Sequence, residues 1–178
     1  LYDMLCLVLP WDHVDEEICA QPLEWSGRTL GRFMRFFGPI SSVFDIATFG
    51  YLFFVLCPSV CGGSFEALAG SGEQLRFITL FQTGWFLESM WTQVLILHLL
   101  RTQRVPLLQS KPSRPVMAVT LLGILLFTVL TFTPVGQLIG LTALPLSYFG
   151  FLVGIVLLYL LVVTWAKSWY RKKYHGLR

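Results

Sequence analysis

Apolar runs of roughly bilayer-crossing length alternate with short polar connections along this chain. The runs fall at about 1–10, 39–57, 77–100, 116–132 and 146–166. A helix needs about 20 mostly apolar residues to span the hydrocarbon core. The last four runs approach or reach that length, and the first reads as truncated. Alternation with a period of two is absent, which argues against a barrel. Pro39 fits the first turn of its helix, where a missing N–H does no harm, and Pro115 and Pro145 stand just before theirs. The pattern predicts an all-α integral membrane protein with about five transmembrane helices. Arg32-Phe33-Met34-Arg35-Phe36-Phe37 reads as a short amphipathic piece on the membrane surface, ahead of a Gly38-Pro39 break.

The connections fix a polarity. Residues 12–35 carry an acidic stretch and then Arg28, Arg32 and Arg35. Residues 101–115 carry Arg101, Arg104, Lys111 and Arg114, and the tail carries Lys167, Arg171, Lys172, Lys173 and Arg178. Every Lys and Arg except Arg76 lies in these three places. They alternate with the connections at 58–75 and 133–145, as consecutive crossings require. Basic connections stay on the cytoplasmic side, so the C-terminus is expected there. The basic tail also suits anionic lipid heads, although marking topology explains it as well. Trp165, Trp169, Tyr170 and Tyr174, with Tyr148 at the opposite end, read as interfacial anchors.

Composition supports the bilayer. The 178 residues are 55% hydrophobic and 13% charged, against about 25% charged in soluble domains. The net charge of +3 is modest, and no nucleic-acid partner is expected. The chain begins with Leu and shows no secretory leader; the expectation is a fragment lacking its N-terminal part. Cys6, Cys19, Cys57 and Cys61 contain no C-x2-C pair, and the histidines are scattered, so a zinc set is not indicated. A Cys57–Cys61 disulfide would need an oxidising outer face; two unpaired thiols are the simpler reading.

Polar groups inside the apolar runs are the candidate chemistry, because an intramembrane carboxylate is costly unless something compensates it. Asp3 lies about two turns inside the Pro10-Trp11-Asp12 exit, with no Lys or Arg in its segment. Its alternatives are an ion pathway and a solvated, frayed terminus. Gly38, Ser41, Ser42 and Asp45 share one helix face, suited to close interhelical packing or to an ion contact. In the third run Gln82, Ser89 and Gln93 form a stripe with Glu88 and Thr92 beside it. That stripe should face protein, either as a hydrogen-bonded seam or as a cation pathway. His98 near the interface reads as unremarkable, and the fourth and fifth runs read as scaffold.

These residues carry a family resemblance. Leu1-Tyr2-Asp3, Leu9-Pro10-Trp11-Asp12, Gly31-Arg32-Phe33-Met34, Ser41-Ser42-Val43-Phe44-Asp45-Ile46, Phe81-Gln82-Thr83-Gly84-Trp85-Phe86-Leu87-Glu88, His98-Leu99-Leu100-Arg101-Thr102-Gln103 and Leu144-Pro145-Leu146-Ser147-Tyr148-Phe149 occur in order over nearly the whole chain. Together they resemble the C-terminal membrane region of bacterial magnesium-transporting P-type ATPases. The resemblance implies that residues 1–178 are one membrane domain holding helices six to ten of a ten-helix pump in the bacterial inner membrane. It implies Mg²⁺ as the transported ion and an importer. Asp3 matches the sixth-helix aspartate that contacts the cation, with Glu88 and Gln93 as weaker candidate metal ligands and Asp45 weaker still. The phosphorylation loop and the ATP-binding domain are absent, so no catalytic residue is expected here. The expected partners are the remaining helices and cytoplasmic domains of the same pump. Mg²⁺ takes oxygen ligands and dehydrates reluctantly, which agrees with this residue set.

Two other classes compete. One is a stand-alone enzyme acting on lipid carriers, using Asp12, His13, Asp15 and Glu16 at the interface; that cluster is more simply a solvated loop. The other is a non-catalytic membrane scaffold or regulator.

Overall fold

The computed structural model describes residues 2–13, 27–68, 70–102 and 112–174, and its described residues form helices and connecting turns without a strand. Helix α1 (Tyr2–Val8) closes in a 3₁₀ turn, Leu9–Trp11, where the Asp12 amide donates back to the Leu9 carbonyl at 2.9 Å. Helix α2 begins as Gly27–Tyr51, passes through a π-helical turn at Leu52–Leu56 and ends in a last α turn, Cys57–Cys61. Gly62 follows at φ 84°, the left-handed position that commonly ends a helix. Helix α3 (Ser71–Leu100) is the longest, and α4 is Arg114–Leu130. The short α5 (Pro134–Leu138) leads to α6 (Leu146–Tyr174). Two of these helices are long and apolar enough to cross a membrane, over 31–67 and 146–170, and α4 is a shorter apolar helix.

Pro39 lies inside α2, not at its start, and there is no Gly38-Pro39 break. A proline in a helix interior forfeits a hydrogen bond and crowds the preceding turn, so something must hold the two halves in line. Aromatic packing does this. Phe33, Phe36 and Phe37 all meet Tyr170 of α6, and Phe36 also stacks on Trp169 at 5.3 Å. The 32–37 stretch is therefore one continuous helix docked on α6.

The α2–α6 contact continues as an antiparallel ladder. Phe37 meets Tyr170, Phe44 meets Tyr159 at 5.2 Å, and Tyr51 stacks on Phe151 at 3.7 Å. The α2 rungs recur every seventh residue, which returns each to the same face after two turns. Beyond Tyr51 the π turn carries Leu52 onto α3, where Gly84 leaves room for it. A Cβ on Gly84 would lie 2.5 Å from a Leu52 methyl. The Tyr148 hydroxyl of α6 donates to the Gly84 carbonyl at the same place. Tyr148 and Tyr170 are both buried, so their role is packing and not anchorage, while Trp165 and Trp169 remain exposed.

Helix α4 turns Leu121, Leu122, Leu125 and Leu126 outward and attaches to α3 through Thr128, which accepts from the Trp91 indole at 3.1 Å. Thr133 caps α5 by accepting from the Gly136 amide. Gly136 sits where a Cβ would be 2.0 Å from the Leu130 carbonyl, so only glycine fits that tight return. Cys57 and Cys61 are free thiols one turn apart, and Cys57 is buried against the Phe77 carbonyl.

Candidate cation site

Helices α2, α3 and α6 line a half-open cavity of about 340 Å³ near their middles. α2 supplies Ser41 and Asp45, α3 supplies Glu88, Ser89, Thr92 and Gln93, and α6 supplies Tyr159. Local geometry explains each position. Ser41 and Asp45 are one turn apart on α2, and Glu88 and Thr92 are one turn apart on α3. Thr92 donates to the Glu88 carbonyl at 2.9 Å, which keeps that turn compact. Ser41 and Tyr159 share a hydroxyl–hydroxyl bond of 3.1 Å that ties α2 to α6 at the cavity wall.

Glu88 is the unusual member. Only 1% of it is exposed, and its Oε2 has no hydrogen-bond partner among the described residues. A buried carboxylate without a partner costs several kcal/mol, so it calls for a proton or a cation. Among the described residues, no Lys or Arg lines the cavity. Two carboxylates, four hydroxyls and an amide present a wall of oxygen acceptors, the chemistry of a hard cation. Among the described residues, no three His, Cys, Asp or Glu side chains come together as a ligand group.

The expected stripe on α3 divides. Glu88, Ser89, Thr92 and Gln93 share the cavity, with Glu88 buried, Ser89 half-buried and Gln93 exposed at its rim. Gln82 is apart from them, exposed in an aromatic hollow with Phe49, Phe53 and Phe81. On α2, Ser41 of its polar face bonds to another helix. Ser42 turns back to the Gly38 carbonyl at 3.2 Å, and Gly38 faces open space. Asp3 lies on α1, exposed, and does not line this cavity.

A second cluster lies where α1 ends. Asp12 accepts from the Arg101 guanidinium at 2.6 Å and from the Ser113 backbone amide at 2.7 Å, just before α4. The two charged side chains retain only 4% and 6% of their exposure. Burial pushes the Asp12 carboxyl up, but the Ser113 amide and the Arg101 guanidinium outweigh it and hold its pKa below 3.8. At the same end, the Lys167 ammonium donates to the Leu99 carbonyl at 2.6 Å and to the Thr102 carbonyl. It thereby caps α3 with a positive charge, as the dipole favours. His98, buried one turn earlier, bonds to Thr120 of α4 at 2.7 Å.

The family model described as "Cation transporting ATPase, C-terminus" matches residues 1–169. The chain belongs to the cation-transporting ATPases. It corresponds to their C-terminal region. It is 40% identical over 98% of its length to magnesium-transporting ATPase, P-type 1, of Salmonella typhimurium strain LT2, and likewise to that of Escherichia coli strain K12. It spans 18% of the length of those relatives.

Within this cation-transporting ATPase segment, several site features escaped the sequence reading. Tyr159 sits in a run that looked like scaffold, and Asp12 looked like part of a solvated loop; Asp15 and Glu16 lie outside the described residues. Lys167 was read as part of the basic tail but is 5% exposed. One signal was available for Lys167. It stands among Val163, Thr164, Trp165 and Ala166, one turn before Arg171, a position more apolar than the rest of the tail.

Proposed function

We propose that this chain is the membrane-domain portion of an ATP-driven Mg²⁺ importer and contributes part of its intramembrane cation site. The observation that carries the reading is the near end-to-end similarity to magnesium-transporting P-type ATPases. The cavity of oxygen groups around an unpartnered Glu88 supports it. In this reading the chain crosses the bacterial inner membrane five times, with α1, α2, α3, α4 and α6 as helices six to ten and the C-terminus cytoplasmic. The meeting of Asp12, Arg101, Ser113 and Lys167 at one end of the bundle suits that polarity. ATP is bound and hydrolysed by other parts of the pump. Those parts are this domain's main partners, and anionic lipids meet the basic tail.

Asp3 is the leading metal ligand of this proposal. It is exposed on α1, where neighbouring helices of the pump would face it, and no basic residue lies in its own segment. Glu88 and Gln93 contribute secondary oxygens, and Asp45 a further one. Asp3→Asn keeps the size of the side chain and removes the charge. In the full-length pump it should abolish growth rescue of a transport-deficient strain in low-Mg²⁺ medium while leaving expression normal. Full rescue by Asp3→Asn would remove Asp3 from the transport path.

A further inference from the structure

We infer that the uncharged connection between α4 and α6 is seated in the outer leaflet of the membrane, with its apolar side chains at the boundary between headgroups and acyl chains. The inference rests on the five-crossing reading for α4 and α6 as membrane helices and for which leaflet is the outer one, and it adds where their connection lies.

Charge separates this connection from the other one on the same side. Residues 58–75 include Glu66 and Glu73, whereas no Asp, Glu, Lys, Arg or His occurs from 115 to 166. Leu138 and Leu146 are 86% and 88% exposed, the most exposed large apolar side chains among the described residues. Val135 and Ile139 are exposed beside Leu138, while Gly136 and Leu144 are buried behind them. An exposed apolar patch of this kind marks a surface that meets something other than water. It also continues an outward stripe of α4. Leu125, Val129 and Phe132 are all exposed, at the spacing of one helix face. With no charged side chain, the patch suits acyl chains and has no preference for anionic over zwitterionic headgroups.

Helix length gives the depth. The 17 residues of α4 make about 25 Å of helix, against a hydrocarbon core of about 30 Å. Arg114 holds the lower end of α4 at the basic side, so Leu130 stops short of the outer boundary. From Lys167, fastened to the Leu99 and Thr102 carbonyls, α6 climbs about 32 Å to Leu146. The connection therefore completes the crossing of α4 inside the membrane and not above it.

Backbone in an apolar medium must find its partners internally, and this connection does so. The Gly136 amide donates to the Thr133 hydroxyl at 3.2 Å. The amides of Gly140 and Leu141 turn back to the Gln137 and Gly136 carbonyls at 3.1 and 2.8 Å. The Thr142 amide reaches the Thr83 hydroxyl of α3 at 3.0 Å. The Thr131 and Thr133 hydroxyls donate inward to the Thr128 and Leu130 carbonyls. Gln137 is the exposed polar exception; it sets the seat at the boundary and not in the hydrocarbon centre.

The test uses the full-length protein reconstituted in phosphatidylcholine vesicles. A nitroxide is attached through an oxime to p-acetylphenylalanine in place of Leu138 or Leu146, which leaves the native cysteines untouched. Both positions are exposed, so the replacement removes no packing. The same label at Leu125 on α4 and at Ser71 beside the charged outer connection gives the membrane and water references. Power saturation by oxygen, which concentrates in the bilayer, and by a neutral nickel chelate, which stays in water, reads depth. At 138 and 146 oxygen should relax the label more than nickel does, as at 125 and opposite to 71, at a depth of about 5–10 Å into the headgroup–acyl boundary. Nickel access at 138 and 146 equal to that at 71 makes the connection an aqueous loop and overturns the inference. Protection from both reagents means that protein covers the patch, a second copy or another part of the pump, and overturns it as well. Nickel access at 125 strikes the crossing by α4 itself, so failure of the five-crossing reading is told apart from failure at 138 and 146 alone.

Discussion

Where α1 meets α3, the Asp12 carboxylate holds an arginine and a backbone amide at 2.6 and 2.7 Å. Midway along α3, the Glu88 carboxylate is more deeply buried and leaves one oxygen with no partner among the described residues. Both are acids removed from water in the same bundle, yet they are built on opposite rules. The charge of the Asp12 cluster is matched, so removing a charged member leaves a defect. The Glu88 cavity is incomplete as it stands, so removing its charge relieves a cost. Buried charge is thus a poor guide to role until its partners are known; a matched pair and an unmatched one predict opposite responses to losing the charge.

The comparison can be broken by stability measurements on the full-length protein in detergent. Arg101→Met should have the largest effect, destabilising by about 3 kcal/mol because Asp12 is left buried without its cation. A change below about 1 kcal/mol would mean the pair is no fastening. Lys167→Met should cost less, about 1–3 kcal/mol, through the loss of two carbonyl partners at the end of α3; the midpoint of thermal unfolding reads both. Glu88→Gln should move the other way. Without bound cation it should be neutral or stabilising by about 1 kcal/mol, and a large destabilisation would show that Glu88 is a structural partner after all.

The smallest effect concerns acid. The folded pKa of Asp12 is held below 3.8, so its contribution is fully present above that value. It is lost as the pH falls through the lower, folded pKa. Unfolding midpoints followed downward from pH 5 should therefore drop less steeply in Asp12→Asn than in the parent. Parallel curves would remove Asp12 from the acid response.

Much of the architecture was legible because hydropathy reads length and polarity directly. The apolar runs mark the helices, and residues such as Asp45, Glu88 and Gln93 drew notice by being costly where they stand. What stayed hidden depends on partners far along the chain. Pro39 looks like a boundary until Tyr170, more than a hundred residues away, is seen to hold the turn ahead of it. Tyr148 looks like an anchor because tyrosine suits the interface, but its hydroxyl has a carbonyl to reach inside the bundle. Gln82 and Gln93 share a stripe by helical angle, yet the neighbours differ along the helix, aromatic beside one and polar beside the other. Periodicity locates a face, and packing decides what that face meets.

The cross-links of α6 have a mechanical consequence. Its Tyr148 hydroxyl is pinned to α3 toward one end, Tyr159 to Ser41 of α2 in the middle, and Lys167 to the far end of α3. Three fastenings at three heights resist both sliding and tilting, so α2, α3 and α6 should move as one rigid frame. α1 is outside that frame. It rests on α4 and α3 and is bolted at its exit by Asp12. A load applied to α1 would swing it about that bolt, carrying Asp3, more than two turns from the pivot, through the longer arc while the cavity walls keep their spacing.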